Sequence, residues 1–141
     1  MKYREDRAGN RLSVLGFGCM RLPQKGRSID LEEAERESME AYHAGVNYFD
    51  TAYIYSGSEA ALGEILARNG IREKVNIATK LPQYLAGSRA ALEKYFNEQL
   101  TRLRTDHSCS AKQKTKPAKG KEPQHERIRN HQTQKKRPNL R

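Results

Sequence analysis

Residues 44–55, AGVNYFDTAYIY, decide the fold class of this chain. Gly45 is a typical helix-ending residue, because glycine readily adopts the left-handed backbone conformation. An apolar, β-type run from Val46 to Asp50 follows at once. The stretch therefore predicts the end of a helix, a strand that closes at Asp50, and a loop that carries Tyr55.

The sequence before Gly45 is typical of an amphipathic helix. Asp30 can cap the first turn, and Glu33 stands three positions later, as in a capping box. Residues spaced by three or four positions then form one face: Leu31, Ala34, Ser38, Ala41 and Tyr42. The pattern predicts a single helix between Asp30 and Gly45.

The same strand-and-helix unit recurs downstream. A turn at 56–58 precedes a second helix that ends at Asn69-Gly70, with an apolar stripe at Ala61, Leu62, Ile65 and Leu66. The run 75–79, VNIAT, predicts the next strand, and Lys80 closes it. Ser88 then opens a third helix, whose apolar face is Leu92, Tyr95, Phe96, Leu100 and Leu103.

The first residues complete the predicted order of elements. The turn Ala8-Gly9-Asn10 predicts a small hairpin, residues 12–18 (LSVLGFG) a short strand, and residues 21–28 a loop. The order is then hairpin, β, α, β, α, β, α. Strands that alternate with helices over short connections indicate an α/β fold with a parallel sheet and right-handed crossovers.

The net charge of +10 is unevenly distributed. Residues 1–106 hold 16 Lys and Arg against 15 Asp and Glu, whereas residues 107–141 hold 11 against 2. The second segment has no Tyr or Phe and too few apolar side chains to offset its ordering entropy. A fourth strand is due at Thr105-Asp106, but the residues from His107 onward have no strand character. We therefore expect one domain at 1–106 and a disordered basic tail at 107–141.

Composition also excludes several classes of protein. No apolar run approaches the ~20 residues needed to cross a membrane. The N-terminus, MKYRED, lacks the apolar region of a secretory signal. Cys19 and Cys109 are too far apart and too few for a disulfide framework or a zinc site. We expect a cytoplasmic protein with reduced thiols and no metal.

Three polar residues fall at or just beyond predicted strand ends: Asp50, Tyr55 and Lys80. Functional groups collect at these ends in parallel α/β proteins. A lysine beside a tyrosine stabilises the phenolate and lowers the pKa of the phenol, and a carboxylate keeps that lysine charged and oriented. The set suits proton transfer. The alternative is that Asp50 caps a turn, Tyr55 packs on the rim and Lys80 is solvated.

The glycines at 16 and 18 indicate a dinucleotide-binding loop only weakly. A third glycine is missing at the required offset, and Pro23 stands where a helix should begin. We expect instead a strand end at which the backbone is closely approached.

Four stretches resemble the N-terminal third of an aldo/keto reductase: residues 16–22 (GFGCMRL), 44–55, 58–63 (SEAALG) and 77–80 (IATK). The second is the most specific, since it fixes an aspartate and a tyrosine five residues apart. The resemblance covers residues 1–106 and implies a (β/α)₈ TIM barrel whose N-terminal hairpin closes its bottom. It further implies reversible hydride transfer between NAD(P)H and a small carbonyl substrate. The opening stretches also resemble the subgroup with a C-terminal ferredoxin-like iron–sulfur module.

The same resemblance implies roles for individual residues. Tyr55 is the general acid, Lys80 depresses the pKa of that phenol, and Asp50 pairs with the lysine. The nicotinamide end of NADP or NAD is lined by Gly18, Cys19, Met20 and Asp50.

The family's catalytic histidine ends the fourth strand, where this sequence leaves the family pattern, so its role is not assigned to His107. Three of eight βα units cannot close a barrel of about 250 residues. We therefore expect a truncated or frame-shifted reading of a longer reductase gene, inactive alone. The alternative is a non-enzymatic polypeptide whose basic tail binds polyanions or nucleic acid. Nucleic acid is the less favoured partner, because no aromatic residues are interleaved for base stacking.

Overall fold

In the computed structural model, which describes residues 1–106, the chain opens with an antiparallel hairpin. Strand β1 (Tyr3–Glu5) pairs with β2 (Arg11–Ser13). Asp6 shapes the turn, because its Oδ1 accepts hydrogen bonds from the backbone N–H groups of Ala8 (2.8 Å) and Asn10 (2.9 Å). Gly9 has φ +82°, which glycine adopts without strain. The predicted hairpin is confirmed, and the predicted tail at 107–141 lies outside the described residues.

Five further short strands follow: β3 (Phe17–Gly18), β4 (Gln24–Lys25), β5 (Ser28–Ile29), β6 (Tyr48–Asp50) and β7 (Asn76–Ala78). Strands β3, β6 and β7 form a parallel sheet in that order. Its register sets Gly18 opposite Asp50 and Asp50 opposite Ala78. The carboxyl ends of all three strands therefore meet at one edge of the sheet.

Three helices accompany the parallel sheet: α1 (Leu31–His43), α2 (Ser58–Arg68) and α3 (Arg89–Arg102). Asp30 caps α1 by accepting a hydrogen bond from Glu33 N (3.3 Å), and Ser88 caps α3 through Ala91 N (3.2 Å). Gly45 follows α1 with φ +95°. Apart from the additional strand pair β4 and β5, the predicted order of strands and helices is confirmed. Within residues 1–106, no helix is both long and apolar enough to cross a membrane.

The core lies between the parallel sheet and α2. Phe49 and Ile77 from the sheet and Leu62, Ile65 and Leu66 from α2 are all fully buried. Burying a large apolar side chain stabilises the folded state by about 1.5–3 kcal/mol. The apolar stripe predicted for α2 is thus the centre of the core, and it fixes the sheet on which the candidate site is built.

The prediction of one strand over residues 12–18 is wrong. The chain leaves the hairpin at Ser13, whose N–H donates to Asn47 Oδ1 (2.7 Å) and whose Oγ accepts from Asn47 N (3.1 Å). These bonds hold Ser13 beside the loop before β6, and the chain enters the parallel sheet only at Phe17. The apolar run therefore contributes to two different sheets.

Two smaller expectations also need correction. Residues 21–28, expected as a loop, contain a two-residue hairpin in which β4 pairs with β5 and Gly26 turns with φ +66°. Lys80 does not close the third parallel strand, because β7 ends at Ala78. The lysine follows two residues later, in the extended segment that leads toward the 3₁₀ turn Gln83–Leu85.

Candidate active site

Asp50 and Lys80 meet at the carboxyl edge of the parallel sheet. Lys80 Nζ lies 2.5 Å from Asp50 Oδ1 and also donates to the carbonyl oxygen of Thr51 (3.0 Å). Two backbone bonds extend the β6–β7 pairing past the strand ends: Thr51 N to Ala78 O (2.8 Å) and Tyr53 N to Lys80 O (3.2 Å). The backbone of Lys80 is therefore still hydrogen-bonded to the segment that follows β6. Its ammonium extends across the sheet edge to the end of β6.

Tyr55 is brought to the same ammonium by the loop between β6 and α2. Lys80 Nζ lies 5.3 Å from the centroid of the Tyr55 ring, within the range of a cation–π contact. The loop closes through Tyr55 N to Ala52 O (3.0 Å) and Ser58 N to Tyr55 O (3.0 Å). The structure thus brings Asp50 and Tyr55 together around the Lys80 ammonium. The Lys80 side chain is still half exposed, so the alternative prediction that this lysine is solvated also holds in part.

The neighbours of Lys80 favour the charged form of its side chain. Burial alone lowers the pKa of Lys80, but the contacts with Asp50 and Tyr55 outweigh it and hold the pKa above its ordinary value. Because the pKa of Lys80 is higher in the folded state than its ordinary value of 10.5, protonation of this lysine stabilises the fold at pH values below 10.5. This stabilisation is lost as the pH rises through the folded-state pKa. The contribution is small, since solvent screens a half-exposed pair.

Gly18 leaves the backbone of β3 open beside Asp50. A Cβ built on Gly18 has no neighbour within 4 Å, and Met20 close by is 62% exposed. The close approach expected of the two glycines occurs instead at Gly16, where a Cβ would lie 2.9 Å from Cδ1 of Tyr48. A flat group could therefore approach the edge at Gly18 without displacing protein atoms.

Cys19 follows Gly18 but faces the interior. Its side chain is fully buried, and its carbonyl oxygen accepts a hydrogen bond from Ser58 Oγ (2.7 Å). Burial, together with the Asp50 carboxylate and against the opposing effect of Lys80, raises the pKa of the Cys19 thiol to about 12. The thiol is structural, and only the backbone of this residue borders the site.

We predict that the Cys19 thiol resists alkylation in the folded chain. In a Cys109→Ser background, a maleimide at about pH 8 should label Cys19 more than about ten-fold more slowly than in denaturant, because both burial and a scarce thiolate oppose the reaction. Mass spectrometry of the labelled chain measures the rate. Equal rates with and without denaturant would show that Cys19 is accessible and contradict the burial.

A cavity of about 290 Å³ opens beside Tyr55. The loop residues Tyr53, Tyr55, Ser56 and Gly57 form one wall, and the first turn of α2 and Arg102 of α3 form the others. Arg102 stacks on the Tyr53 ring at 4.3 Å, while the Tyr53 hydroxyl donates to Glu98 (2.7 Å). The cavity therefore gives small molecules access to one side of the Tyr55 loop.

Sequence reasoning missed four polar residues next to this site: Thr51, Glu59, Thr79 and Gln99. Gln99 carried a readable signal, because it lies on the face of α3 that the apolar residues Leu92, Phe96 and Leu103 define, yet it is polar. Glu59 carried a weaker one, as an acid one and two turns before the apolar residues Leu62 and Leu66 of α2. Thr51 and Thr79 had no signal beyond their positions at the ends of strands.

A comparison with known families identifies the family of this chain. The model of the aldo/keto reductase family matches residues 14–108. The chain belongs to the aldo/keto reductase family. The resemblance that the four sequence stretches indicated is confirmed.

Curated relatives cover a wide range of organisms. This aldo/keto reductase chain is 32% identical to L-galactose dehydrogenase of Arabidopsis thaliana over 105 residues, 70% of this chain and 33% of that protein. It is 34% identical to 6-dehydroglucose reductase of Novosphingobium aromaticivorans over 112 residues, 70% of this chain and 36% of that protein. The chain spans about a third of the length of these relatives.

Solved structures agree with the family assignment. An aldo-keto reductase from Bacillus halodurans in its holo form superposes with a TM-score of 0.61 at 31% identity, over 77% of this chain and 38% of that one. An aldo-keto reductase from Bombyx mori in complex with NADP gives a TM-score of 0.60 at 25% identity, over 76% and 36%. The Bombyx mori relative thus binds NADP.

Proposed function

We propose that residues 1–106 supply the proton-donating part of an NAD(P)H-dependent carbonyl reductase site. The observation that carries the proposal is the single ammonium of Lys80, held at 2.5 Å by Asp50 and 5.3 Å from the ring of Tyr55. Family membership supports it, because Asp50, Tyr55 and Lys80 stand in the stretches on which the resemblance rests. The substrate class is a small carbonyl compound.

Each of the three side chains has a distinct role in this proposal. Tyr55 donates its hydroxyl proton to the carbonyl oxygen as the carbonyl carbon is reduced. Negative charge then develops on the phenol oxygen, and the nearby Lys80 ammonium stabilises it. Asp50 and the Thr51 carbonyl keep that ammonium charged and at the sheet edge. Half-exposed groups at the edge give the carbonyl an open route of approach.

The residues at the end of β3 fit the nicotinamide end of a cofactor. Gly18 offers open backbone, Met20 an exposed thioether, and Asp50 lies opposite Gly18 in the sheet register. Cys19 would take part through its backbone alone, since its thiol is buried. NADP or NAD, when bound, supplies the hydride. The NADP complex of the Bombyx mori relative supports this assignment.

We propose further that the three βα units are the first three of an eight-stranded barrel. Among residues 1–106, β3 and β7 are the edge strands of the parallel sheet, and parallel sheets are normally covered and closed. The matched relatives are about three times as long as the matched segment. Reductase activity therefore requires the remaining strands in addition to this segment, and we expect none from the 141-residue chain alone.

A chimaera tests the proposed function. Residues 14–106 would replace the matching segment of the Bacillus halodurans aldo-keto reductase, and NADPH consumption would be followed with a panel of small aldehydes and ketones. We expect the chimaera to reduce carbonyls and the separate 141-residue chain to be inactive. A chimaera that folds and binds NADPH but shows no turnover contradicts the catalytic assignment. Activity of the separate chain contradicts the requirement for further strands.

A further inference from the structure

A buried polar cluster lies against the backbone of Lys80. Its members are Glu59 of α2, Thr79, which follows β7, and Gln99 and Arg102 of α3. Glu59 is 1% exposed and Gln99 is 0% exposed. Polar groups are buried this completely only when hydrogen bonds compensate the loss of water. The cluster connects three elements at the point where Lys80 leaves the sheet.

Gln99 is the centre of this cluster. Its Nε2 lies 2.7 Å from Glu59 Oε1, 2.7 Å from Thr79 Oγ1 and 3.1 Å from the carbonyl oxygen of Lys80. An amide nitrogen has two N–H donors, so these three acceptors share them. Thr79 Oγ1 in turn donates to Glu59 Oε1 (2.6 Å). One side chain of α3 therefore binds the backbone of Lys80 directly.

The charge of Glu59 fixes which way the Gln99 amide points. The opposite orientation would turn Gln99 Oε1 toward a carboxylate oxygen, and two acceptors would then repel each other. In the observed orientation Gln99 Oε1 is buried without a hydrogen-bond partner among residues 1–106. The Gln99 amide keeps this orientation although its oxygen then has no hydrogen bond. The hydrogen bonds that Nε2 donates therefore determine the orientation of the amide. Arg102 Nη1 forms an ion pair with the other carboxylate oxygen, Glu59 Oε2, at 3.3 Å.

The backbone of Lys80 is consequently held from two sides. Gln99 Nε2 and Tyr53 N both donate to its carbonyl oxygen, at 3.1 and 3.2 Å. Tyr53 belongs to the loop that carries Tyr55, whereas Gln99 belongs to α3. With the main chain fixed in this way, the side chain has a defined starting point from which Nζ reaches Asp50 and the Thr51 carbonyl.

We propose that Gln99 is a positioning residue that holds the Lys80 ammonium against Asp50 and beside Tyr55. The inference rests on the proposed function for its catalytic meaning, but its structural content is independent of turnover. Gln99 touches no reacting atom, and it acts through the carbonyl of Lys80. Removing its N–H donors should let residues 79–80 shift and lengthen the Lys80–Asp50 contact. The competing explanation is that the cluster only fastens α3 to the sheet.

The test replaces Gln99 with methionine, which keeps the length of the side chain and removes its N–H donors. Lysine side chains of the full chain are labelled with ¹³C at Cε, and Lys80, assigned through Lys80→Arg, is titrated by NMR. We expect the pKa of Lys80 in Gln99→Met to fall several tenths of a pH unit toward its ordinary value, because its contact with Asp50 weakens. Gln83→Met is the matched control, since Gln83 is exposed in the segment before α3. It should leave the Lys80 titration unchanged.

A second variant covers the case in which Gln99→Met does not fold. Glu59→Gln keeps the shape of the side chain but removes the charge that orients the Gln99 amide, so we expect the same downward change. A folded variant of either kind whose Lys80 titrates as in the Gln83→Met control overturns the proposal and leaves only the fastening role.

Turnover of the chimaera gives a separate readout. Gln99→Met should lower kcat by roughly ten-fold or more with little change in KM, because a misplaced catalytic group slows the chemical step. If the parent chimaera is inactive, the proposed function fails, while the NMR titration still decides whether Gln99 positions Lys80. An active chimaera in which Gln99→Met leaves kcat unchanged overturns the positioning role.

Discussion

Replacing Tyr55 with phenylalanine should abolish carbonyl reduction by the chimaera and leave its affinity for NADPH unchanged. The substitution removes only the hydroxyl. The carbonyl oxygen then loses the phenol that lies next to Lys80 as its proton donor. Loss of a general acid typically lowers the rate by about 10²–10⁴-fold. NADPH consumption measures the rate, and quenching of cofactor fluorescence measures the affinity.

Tyr53 provides the matched control for this substitution. It lies two residues away in the same loop, but its hydroxyl donates to Glu98 and its ring packs edge-on against Tyr95 at 5.0 Å. The hydrogen bond to Glu98 raises the pKa of Tyr53, so this phenol holds its proton tightly and is a poor acid. Tyr53→Phe should therefore retain most of the activity. Comparable losses in both variants would mean that the loop, and not the Tyr55 hydroxyl, is what reduction requires.

The meeting of Asp50, Tyr55 and Lys80 was predictable from the sequence because topology determines it. Adjacent parallel strands end at the same edge of a sheet, so polar residues that follow two neighbouring strands must be close in space. The helix boundaries were equally readable, since Asp30 and Gly45 act through local hydrogen bonds and local backbone preference. None of these predictions required knowledge of a distant contact.

Two of the features that escaped prediction depend on distant contacts. The break between β2 and β3 results from Asn47, 34 residues further along, which binds both the N–H and the hydroxyl of Ser13. Gln99 is polar at an apolar position of α3 because Glu59, 40 residues earlier, lies opposite it. The spacing of residue types along the chain indicates neither the Ser13–Asn47 contact nor the Gln99–Glu59 contact. A polar residue on an otherwise apolar stripe is the clearest sequence signal that such a partner exists.

Substituting Gly63 with alanine should destabilise the folded chain although it adds only one methyl group. A Cβ at this position would lie 2.8 Å from the carbonyl carbon and 2.9 Å from Cα of Leu103, and closer still to the carbonyl oxygen of Arg102. These are backbone atoms, so no rotamer change can make room, and α2 and the end of α3 must separate. Overpacking of this kind costs about 1–3 kcal/mol. Thermal unfolding of the full chain, followed by circular dichroism, measures the loss.

The sign of this effect separates packing from helix propensity. Gly63 lies inside α2, where alanine is normally favoured over glycine by about 1 kcal/mol, so propensity alone predicts a higher Tm. Gly87 is the matched control: a Cβ there meets nothing within 4 Å, and its φ lies outside the left-handed region. Gly87→Ala should leave the free energy of unfolding unchanged or raise it by about 0.4–1 kcal/mol. If Gly63→Ala also raises the Tm, α3 does not pack against α2 at this glycine. The packing of α3 against α2 at Gly63 could then not be what places Gln99 against the carbonyl oxygen of Lys80.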